Sequence, residues 1–308
     1  MFTFATEASD LGIRFGMAED IPNFRKVANA ADGTPLIYRS SKLDWITDSS
    51  IKYLSNELKI KAVLDMRSKG EYMMVHKNRT ILDYFKPYEI KINSKLRKYD
   101  KAPITATASS ASRPRFFLNF FTRELSLAYF SLLPYRFMAL GFALLIVDLL
   151  FRSRHLERLV MWKAVAPKGL KGLYIMYAEY SKPCIATALR IINTEEHLPI
   201  VINCSQGKDR TGIISALVQY LQGCSLENIL DEYEESEEYL KCIRADLYKE
   251  VITGLGLTEE FLYARKSYLK CFFIYLEEKY GGVENYLENC GFSRIEQQTL
   301  RDRMQKVD

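Results

Sequence analysis

Apolar residues along this chain fall into two kinds of run. Short runs rich in β-branched residues are bounded by polar or turn residues, while longer stretches repeat apolar positions three and four apart. The first kind predicts strands over 36–40 and 60–66, an extended stretch over 84–93, and a fully buried central strand over 198–204. The second kind predicts helices. Ile51, Leu54 and Leu58 share one face of a helix that Asp48, Ser49 and Ser50 can cap. Tyr174, Tyr177, Ile185 and Leu189 mark a helical stretch over 173–193 that Pro183 can break. Further helices are expected over 212–223, ending near Gly223, over 226–245, and over 258–280 and 293–306 around the Gly281-Gly282 turn. Residues 226–245 are acidic, with Asp231, Glu232, Glu234, Glu235, Glu237 and Glu238 largely on solvated faces. Helices alternating with a few strands indicate the α/β class, with a mainly parallel central sheet flanked by helices. A ligand then belongs at the carboxyl end of a strand.

The middle of the chain breaks this pattern. Residues 103–114 are rich in Pro, Thr, Ala and Ser and read as a linker. Residues 116–151 are strongly apolar and aromatic, and their last uninterrupted run, from Phe137 to Val147, is bracketed by Arg136 and Asp148. That run is well short of the roughly 20 apolar residues of a membrane span. Between 111 and 171, ten Lys or Arg stand against three Asp or Glu, so the formal charge of +5 is concentrated here and the remainder is mildly acidic. The expected organisation is one domain over 1–308 with an apolar, basic helical insertion over 103–171.

The candidate chemistry sits immediately after the expected central strand, in Cys204-Ser205-Gln206-Gly207-Lys208-Asp209-Arg210-Thr211-Gly212. A thiol becomes a good nucleophile when it ionises, and a helix N-terminus and nearby cations favour ionisation. Thr211-Gly212-Ile213 opens the following helix, whose first N–H groups face the loop. Gly207 lets the backbone turn so that successive N–H groups form an anion nest. Arg210 offers a planar fork that matches two phosphate oxygens. Cys204 is therefore the expected nucleophile towards phosphorus and Arg210 the clamp. Asp209 is the expected acid and then base, and Thr211 the hydroxyl that helps the sulfur leave. Ser205, Gln206, Gly207, Lys208 and Gly212 are expected to line the phosphate. The bland reading of Cys204, a small buried hydrophobe, fits poorly with the polar run from Ser205 to Arg210. A nucleotide-binding reading of Gly207-Lys208 fails, because Ile202 stands where the earlier glycine belongs and Asp209 where Ser or Thr belongs.

These residues resemble a family: the atypical tyrosine and lipid phosphatases often called triple-specificity phosphatases, within the cysteine-dependent tyrosine phosphatase superfamily. The loop is similar to theirs. So are Asn23-Phe24-Arg25, the Tyr38-Arg39-Ser40 segment within Leu36–Leu43, Asp65-Met66-Arg67 followed by Glu71, and the stretch from Tyr280-Gly281-Gly282 to Leu287. The resemblance implies that Asp209 is the general acid. It also implies that Lys208 contacts multiply phosphorylated lipid head groups as well as phosphotyrosine. Trp45 and Trp162 have no adjacent Pro-Asp, so the acid-bearing segment of ordinary tyrosine phosphatases is missing. Two alternatives stay open: Asp209 as a loop brace paired to Arg210 or another cation, and Lys208 as a solvated loop lysine. Asn203 departs from the family's usual histidine before the nucleophile, and its amide can brace loop carbonyls. Asp65 and Arg67 end a predicted strand on the side of the loop. They are candidate substrate contacts, with a structural ion pair as the alternative.

The expected activity is hydrolysis of phosphotyrosine, of phosphoinositide monoesters or of both through a phosphocysteine, with phosphotyrosine proteins or phosphoinositide lipids as partners. A catalytically weak phosphate-binding module and an arsenate or thiol reductase are the competing readings. For the insertion, three roles stand: a subdomain packed on the core, a helical lid of the kind the family has, or an element that presses onto an anionic membrane surface. The charge is too mild for nucleic-acid binding. Cys184, Cys204, Cys224, Cys242, Cys271 and Cys290 form no CxxC pair, and His76, His155 and His197 are dispersed, so neither a metal nor an organic cofactor is expected. The first ten residues lack a basic start and a long apolar stretch, which argues against a secretory signal. A reduced, cytoplasmic setting, peripheral on membranes, is the corresponding expectation.

Overall fold

The apolar run at 198–204 becomes the central strand of a sheet. In a computed structural model, the described residues are 20–44, 46–68, 71–72, 80–93, 98–104, 111–151 and 153–305. The first ten residues, Trp45, His76 and the linker core 105–110 lie outside them. The described strands are β1 (Arg25–Asn29), β2 (Pro35–Ser40), β3 (Ala62–Asp65), β4 (Phe85–Asn93), β5 (Lys98–Pro103), β6 (Arg113–Phe117) and β7 (Ile200–Asn203). They form one sheet in the order β1-β2-β7-β3-β6-β4-β5. The five inner strands run parallel, and β1 and β5 are antiparallel edges. The architecture is thus mixed α/β with a mainly parallel sheet, as the alternation of elements predicts.

The longer helices are α1 (Arg123–Ser131), α2 (Tyr135–Phe151), α3 (Gly169–Tyr180), α4 (Lys182–Ile192), α5 (Asp209–Gln222), α6 (Leu226–Glu234), α7 (Lys266–Tyr280), α8 (Val283–Cys290) and α9 (Arg294–Met304). The chain divides into two compact units. The first holds Met1–Asn119, Pro183–Leu226 and Phe292–Asp308, and the second holds Phe120–Lys182 and Glu227–Gly291.

In the first unit, Ile200, Val201 and Ile202 are fully buried, because a central parallel strand is covered on both faces. Helix α5 follows β7, is buried along most of its length, and ends at Gly223 in the left-handed conformation that caps helices. Helix α9 opens on a capping box between Ser293 and Glu296. Glu296 also pairs with Arg190 of α4 at 2.5 Å.

Three expectations change. The helix expected from residue 48 is capped by Thr47, whose side chain accepts from Ser50 N–H, and it loosens into a π turn over Tyr53–Glu57. The range 103–171 is not wholly helical: β5 ends at Pro103 and β6 lies inside the range. Pro114 is tolerated in β6 because it faces Lys86 of β4 while the pairing with β3 starts only at Arg115. The helix expected over 226–245 breaks after α6 into short turns (Ser236–Tyr239, Lys241–Ile243 and Arg244–Tyr248), with Ser236 and Leu240 turned into the interior.

In the second unit, the segment after Asn119 is packed with the acidic segment from residue 227. Tyr174 of α3 and Tyr233 of α6 share a hydrogen bond. Glu179 of α3 accepts from Lys279 of α7 at 2.8 Å, and Tyr286 of α8 donates to Ala178 O at 2.9 Å. Phe272, Leu276, Tyr286 and Leu287 fill the space between these helices.

Candidate active site

Parallel pairing brings three strand ends level. Asn203, the last residue of β7, is in register with Ser40 of β2 on one side and with Asp65 of β3 on the other. The segments that leave β2, β3 and β7 therefore emerge together at the carboxyl edge of the sheet. Met66 N–H donates to Asn203 O at 2.8 Å and ties the β3 exit to the start of the loop.

The loop itself is defined by where its carbonyls point. Cys204 O accepts from Asn203 Nδ2 at 3.3 Å, so the amide in place of histidine braces the loop as expected. Ser205 O accepts from Lys42 N–H at 3.1 Å. Gln206 O and Gly207 O both accept from Asn23 Nδ2, at 3.1 and 2.9 Å. Arg39 Nη2 donates to Gly207 O at 2.7 Å and to Lys208 O at 3.3 Å. In a trans peptide the N–H points opposite to the C=O. Carbonyls held by Asn23, Arg39 and Lys42 therefore turn the N–H groups of Gln206, Gly207, Lys208 and Asp209 to the other side.

Two of these braces are demanding. Arg39 is fully buried, and its charge is spread over two loop carbonyls. Asn23 is also buried and sits at φ +60, where Asn is tolerated better than most residues. Its own side-chain oxygen accepts from Arg25.

Arg210 is buried at the first turn of α5. Its Nη1 donates to Met66 O and to Glu71 Oε2, both at 3.0 Å, and its Nη2 donates to Glu71 Oε1 at 2.8 Å. Glu71 also accepts from Ser205 Oγ at 3.0 Å and from Ser68 N–H at 2.7 Å. Burial alone would raise the Glu71 carboxyl, but the Arg210 charge and these hydrogen bonds outweigh it and hold it at about 2, below its ordinary 4.5. The folded carboxyl is the stronger acid. The stability it contributes is complete above pH 4.5 and is lost as pH falls through about 2, on the order of 3 kcal/mol in all. Glu71→Gln should therefore narrow the stability gap from the native chain as pH drops through that window, as read by urea unfolding at several pH values. A gap that does not change with pH would contradict this account.

The other expected site residues distribute as follows. Cys204 is a buried free thiol at the head of the loop. Lys208 is fully buried, which excludes a solvated loop lysine, and its Nζ lies 3.8 Å from Asp209 Oδ1. Asp209 is about one-fifth exposed and opens α5. The Thr211 hydroxyl is buried and has no hydrogen-bond partner among the described residues, so it does not bond the Cys204 sulfur. Gly212 N–H closes the first helical turn on Lys208 O at 2.7 Å. It belongs to the helix rather than to the lining of the loop.

Asp65 and Arg67 are not turned to the loop either. Arg67 donates from Nε and Nη2 to the two Asp65 oxygens at 2.9 and 2.7 Å. Arg67 Nη1 pairs with Asp44 at 2.5 Å, and Arg115 Nη2 bonds Asp65 at 2.7 Å. All four side chains are buried, with two charges of each sign. The Asp65 carboxyl is held well below its usual range: burial would raise it, but the Arg67 and Arg115 charges win. This group fixes the β3 exit, whose next residue, Met66, holds Arg210 and Asn203 through its backbone.

Sequence reasoning assigned no role to Glu71, Arg39 or Asn23, although each lay inside a motif that resembles the phosphatase family. Asp44 and Arg115 carried no signal at all. Among the described residues, no group of three His, Cys, Asp or Glu could hold a metal ion.

Known proteins similar in sequence to this chain are phosphatases. A tyrosine-protein phosphatase of Nostoc commune is 28% identical over 146 residues, which is 45% of this chain and 50% of that protein. The triple specificity protein phosphatase PtpB of Mycobacterium tuberculosis is 29% identical over 117 residues, 33% of this chain and 42% of that protein. Inositol diphosphatase SIW14 of Saccharomyces cerevisiae is 34% identical over 65 residues, 21% of this chain and 23% of that protein. The chain spans half or less of the length of these relatives. The family model described as the tyrosine phosphatase family matches residues 17–306, nearly the whole chain, and the chain belongs to that family.

Proposed function

We propose that the chain hydrolyses phosphate monoesters through a phosphocysteine on Cys204. One observation carries the reading: the loop carbonyls from Cys204 to Lys208 each accept a hydrogen bond from a donor outside the loop. That leaves a cradle of amide N–H groups facing the non-bridging oxygens of a phosphate, the charge pattern that phosphoryl transfer needs. The Cys204 thiolate attacks phosphorus; an S–P bond forms as the bond to the leaving oxygen breaks. Asp209 gives that oxygen its proton and then takes one from water. The water attacks phosphorus, the S–P bond breaks, and inorganic phosphate leaves. Thr211, whose hydroxyl is uncommitted among the described residues, is the donor to the departing thiolate. Arg210, aligned by Glu71, clamps two oxygens.

The substrate class we favour is phosphotyrosine together with phosphoinositide monoesters. Lys208 and Arg210 are the cations of the loop itself, and positive charge there suits head groups with several phosphates. Among the relatives, a tyrosine-protein phosphatase and an inositol diphosphatase support phosphorylated tyrosine and phosphorylated inositol as the groups recognised. A panel of phosphopeptides and phosphoinositides, read by phosphate release, tests the assignment. A module that only docks phosphate would bind vanadate and release nothing.

Asp209→Asn is expected to slow substrates with poor leaving groups about 10²-fold or more and activated aryl phosphates much less, because a good leaving group needs little protonation. Equal losses on both would make Asp209 a brace for Lys208 instead of the acid.

A further inference from the structure

Helix α2 has too little inside. Of the sixteen large apolar side chains exposed among the described residues, eight lie on this one helix, including Phe142, Ile146, Leu149, Leu150 and Phe151. Its buried side is narrow. Phe137, Met138 and Leu144 pack with Leu133, Leu159 and Ala164. Gly141 is the close approach on that side, since a Cβ there would lie 2.9 Å from the Phe130 ring. At about 100° per residue, the exposed positions cover roughly two-thirds of the helix circumference. A monomer rarely leaves such a continuous apolar surface without an occupant.

Charge identifies the occupant. The only carboxylate in α2, Asp148, is tied down: it accepts from His155 N–H at 3.0 Å, Leu156 N–H at 2.9 Å and Ser153 Oγ at 2.5 Å. The exposed face of the helix therefore carries no acid. From Arg123 to Lys171 there are eight Lys or Arg against three Asp or Glu. Arg136 and Lys163 sit 5.2 and 5.1 Å from the Phe137 ring, and Lys163 also covers the half-exposed Trp162 at 3.2 Å. Tryptophan and basic side chains beside an apolar surface are the residues that settle at a bilayer interface.

We propose that α2 is a membrane-surface helix that seats its apolar arc in the headgroup region of a bilayer carrying anionic lipid. Two features favour lipid over a protein groove. Lipid wraps a broad arc, whereas a helix partner covers a narrow seam. The basic surround matches an anionic surface. The helix lies in the surface and does not cross it: its 17 residues span about 25 Å, less than the roughly 30 Å of a hydrocarbon core. No helix among the described residues is long and apolar enough to cross. This inference is independent of the phosphatase reading.

The test is flotation of the full chain with phosphatidylcholine vesicles, with and without phosphatidylserine. Binding is expected only with phosphatidylserine. It should weaken steeply between about 0.1 M and about 1 M salt, where the screening length falls from about 10 Å to about 3 Å. Leu149→Asp with Leu150→Asp should cut binding at least about tenfold, as should Arg158→Glu with Lys163→Glu, each with unchanged circular dichroism. Equal binding to neutral vesicles, no binding to either, or binding that survives Leu149→Asp with Leu150→Asp would overturn the proposal. So would a concentration-dependent dimer lost in that same variant, because the occupant would then be a second copy.

Discussion

Cys204→Ser is expected to lower phosphate release on the order of 10⁴-fold or more, the scale on which other covalent hydrolases suffer when the nucleophile is removed. A serine hydroxyl does not ionise near neutral pH, and among the described residues the side chains that hydrogen-bond the loop are amides, guanidinium groups and a carboxylate, with no imidazole. The fold should be indifferent to the change. Cys204 is free and makes its loop contact through its backbone carbonyl, and sulfur to oxygen removes little volume. The expected result is a chain with native urea unfolding and native vanadate binding that no longer releases phosphate from an aryl phosphate. Turnover retained within a few fold would remove Cys204 from the mechanism.

Gly207→Ala should be the most damaging single methyl group in the loop. Gly207 has φ +67, a region that L side chains avoid. A Cβ would also stand 2.1 Å from Ser40 O, 2.4 Å from Ser40 C and 2.7 Å from Ser41 N. Those atoms cannot yield. Ser40 ends β2 in parallel register with Asn203, and Ser41 N–H is bonded to Pro22 O at 2.9 Å. The loop must move instead, which pulls Gly207 O away from Asn23 and Arg39 and rotates the amide groups out of the cradle. The expected outcome is a fall of at least about 3 kcal/mol in unfolding free energy together with loss of vanadate binding. Urea unfolding and vanadate titration measure both. Native values in the two assays would refute the close approach of the loop to β2.

The parts of the fold legible from sequence are those whose signal is local. β7 shows because a strand buried on both faces reads as one apolar run, and β2 and β3 show for the same reason. β1 and β5 do not: edge strands such as Lys98–Pro103 keep much of their length exposed and carry polar residues. β6 hides behind Pro114 and the two arginines beside it, of which Arg115 is buried only because Asp65 and Asp44 meet it. Its strand character comes from neighbours that sequence spacing does not reveal.

The site divides along the same line. Nine consecutive residues, Cys204 to Gly212, set out the candidate nucleophile, acid and clamp between a strand and a helix, because covalent spacing alone keeps them together. Which groups brace them was decided by tertiary structure. Glu71 lies 139 positions from Arg210, Arg39 168 from Gly207, and Asn23 184 from Gly207. Their roles exist only once β2, β7 and β3 align in register. The same alignment buries Lys208 and turns Asp65 and Arg67 towards each other, since partners for buried charges are chosen by what the fold brings within reach. Local spacing determined the candidate chemistry of this chain; long-range strand pairing decided how its loop is held, because hydrogen-bond direction depends on atoms that are distant in sequence and adjacent only in the folded sheet.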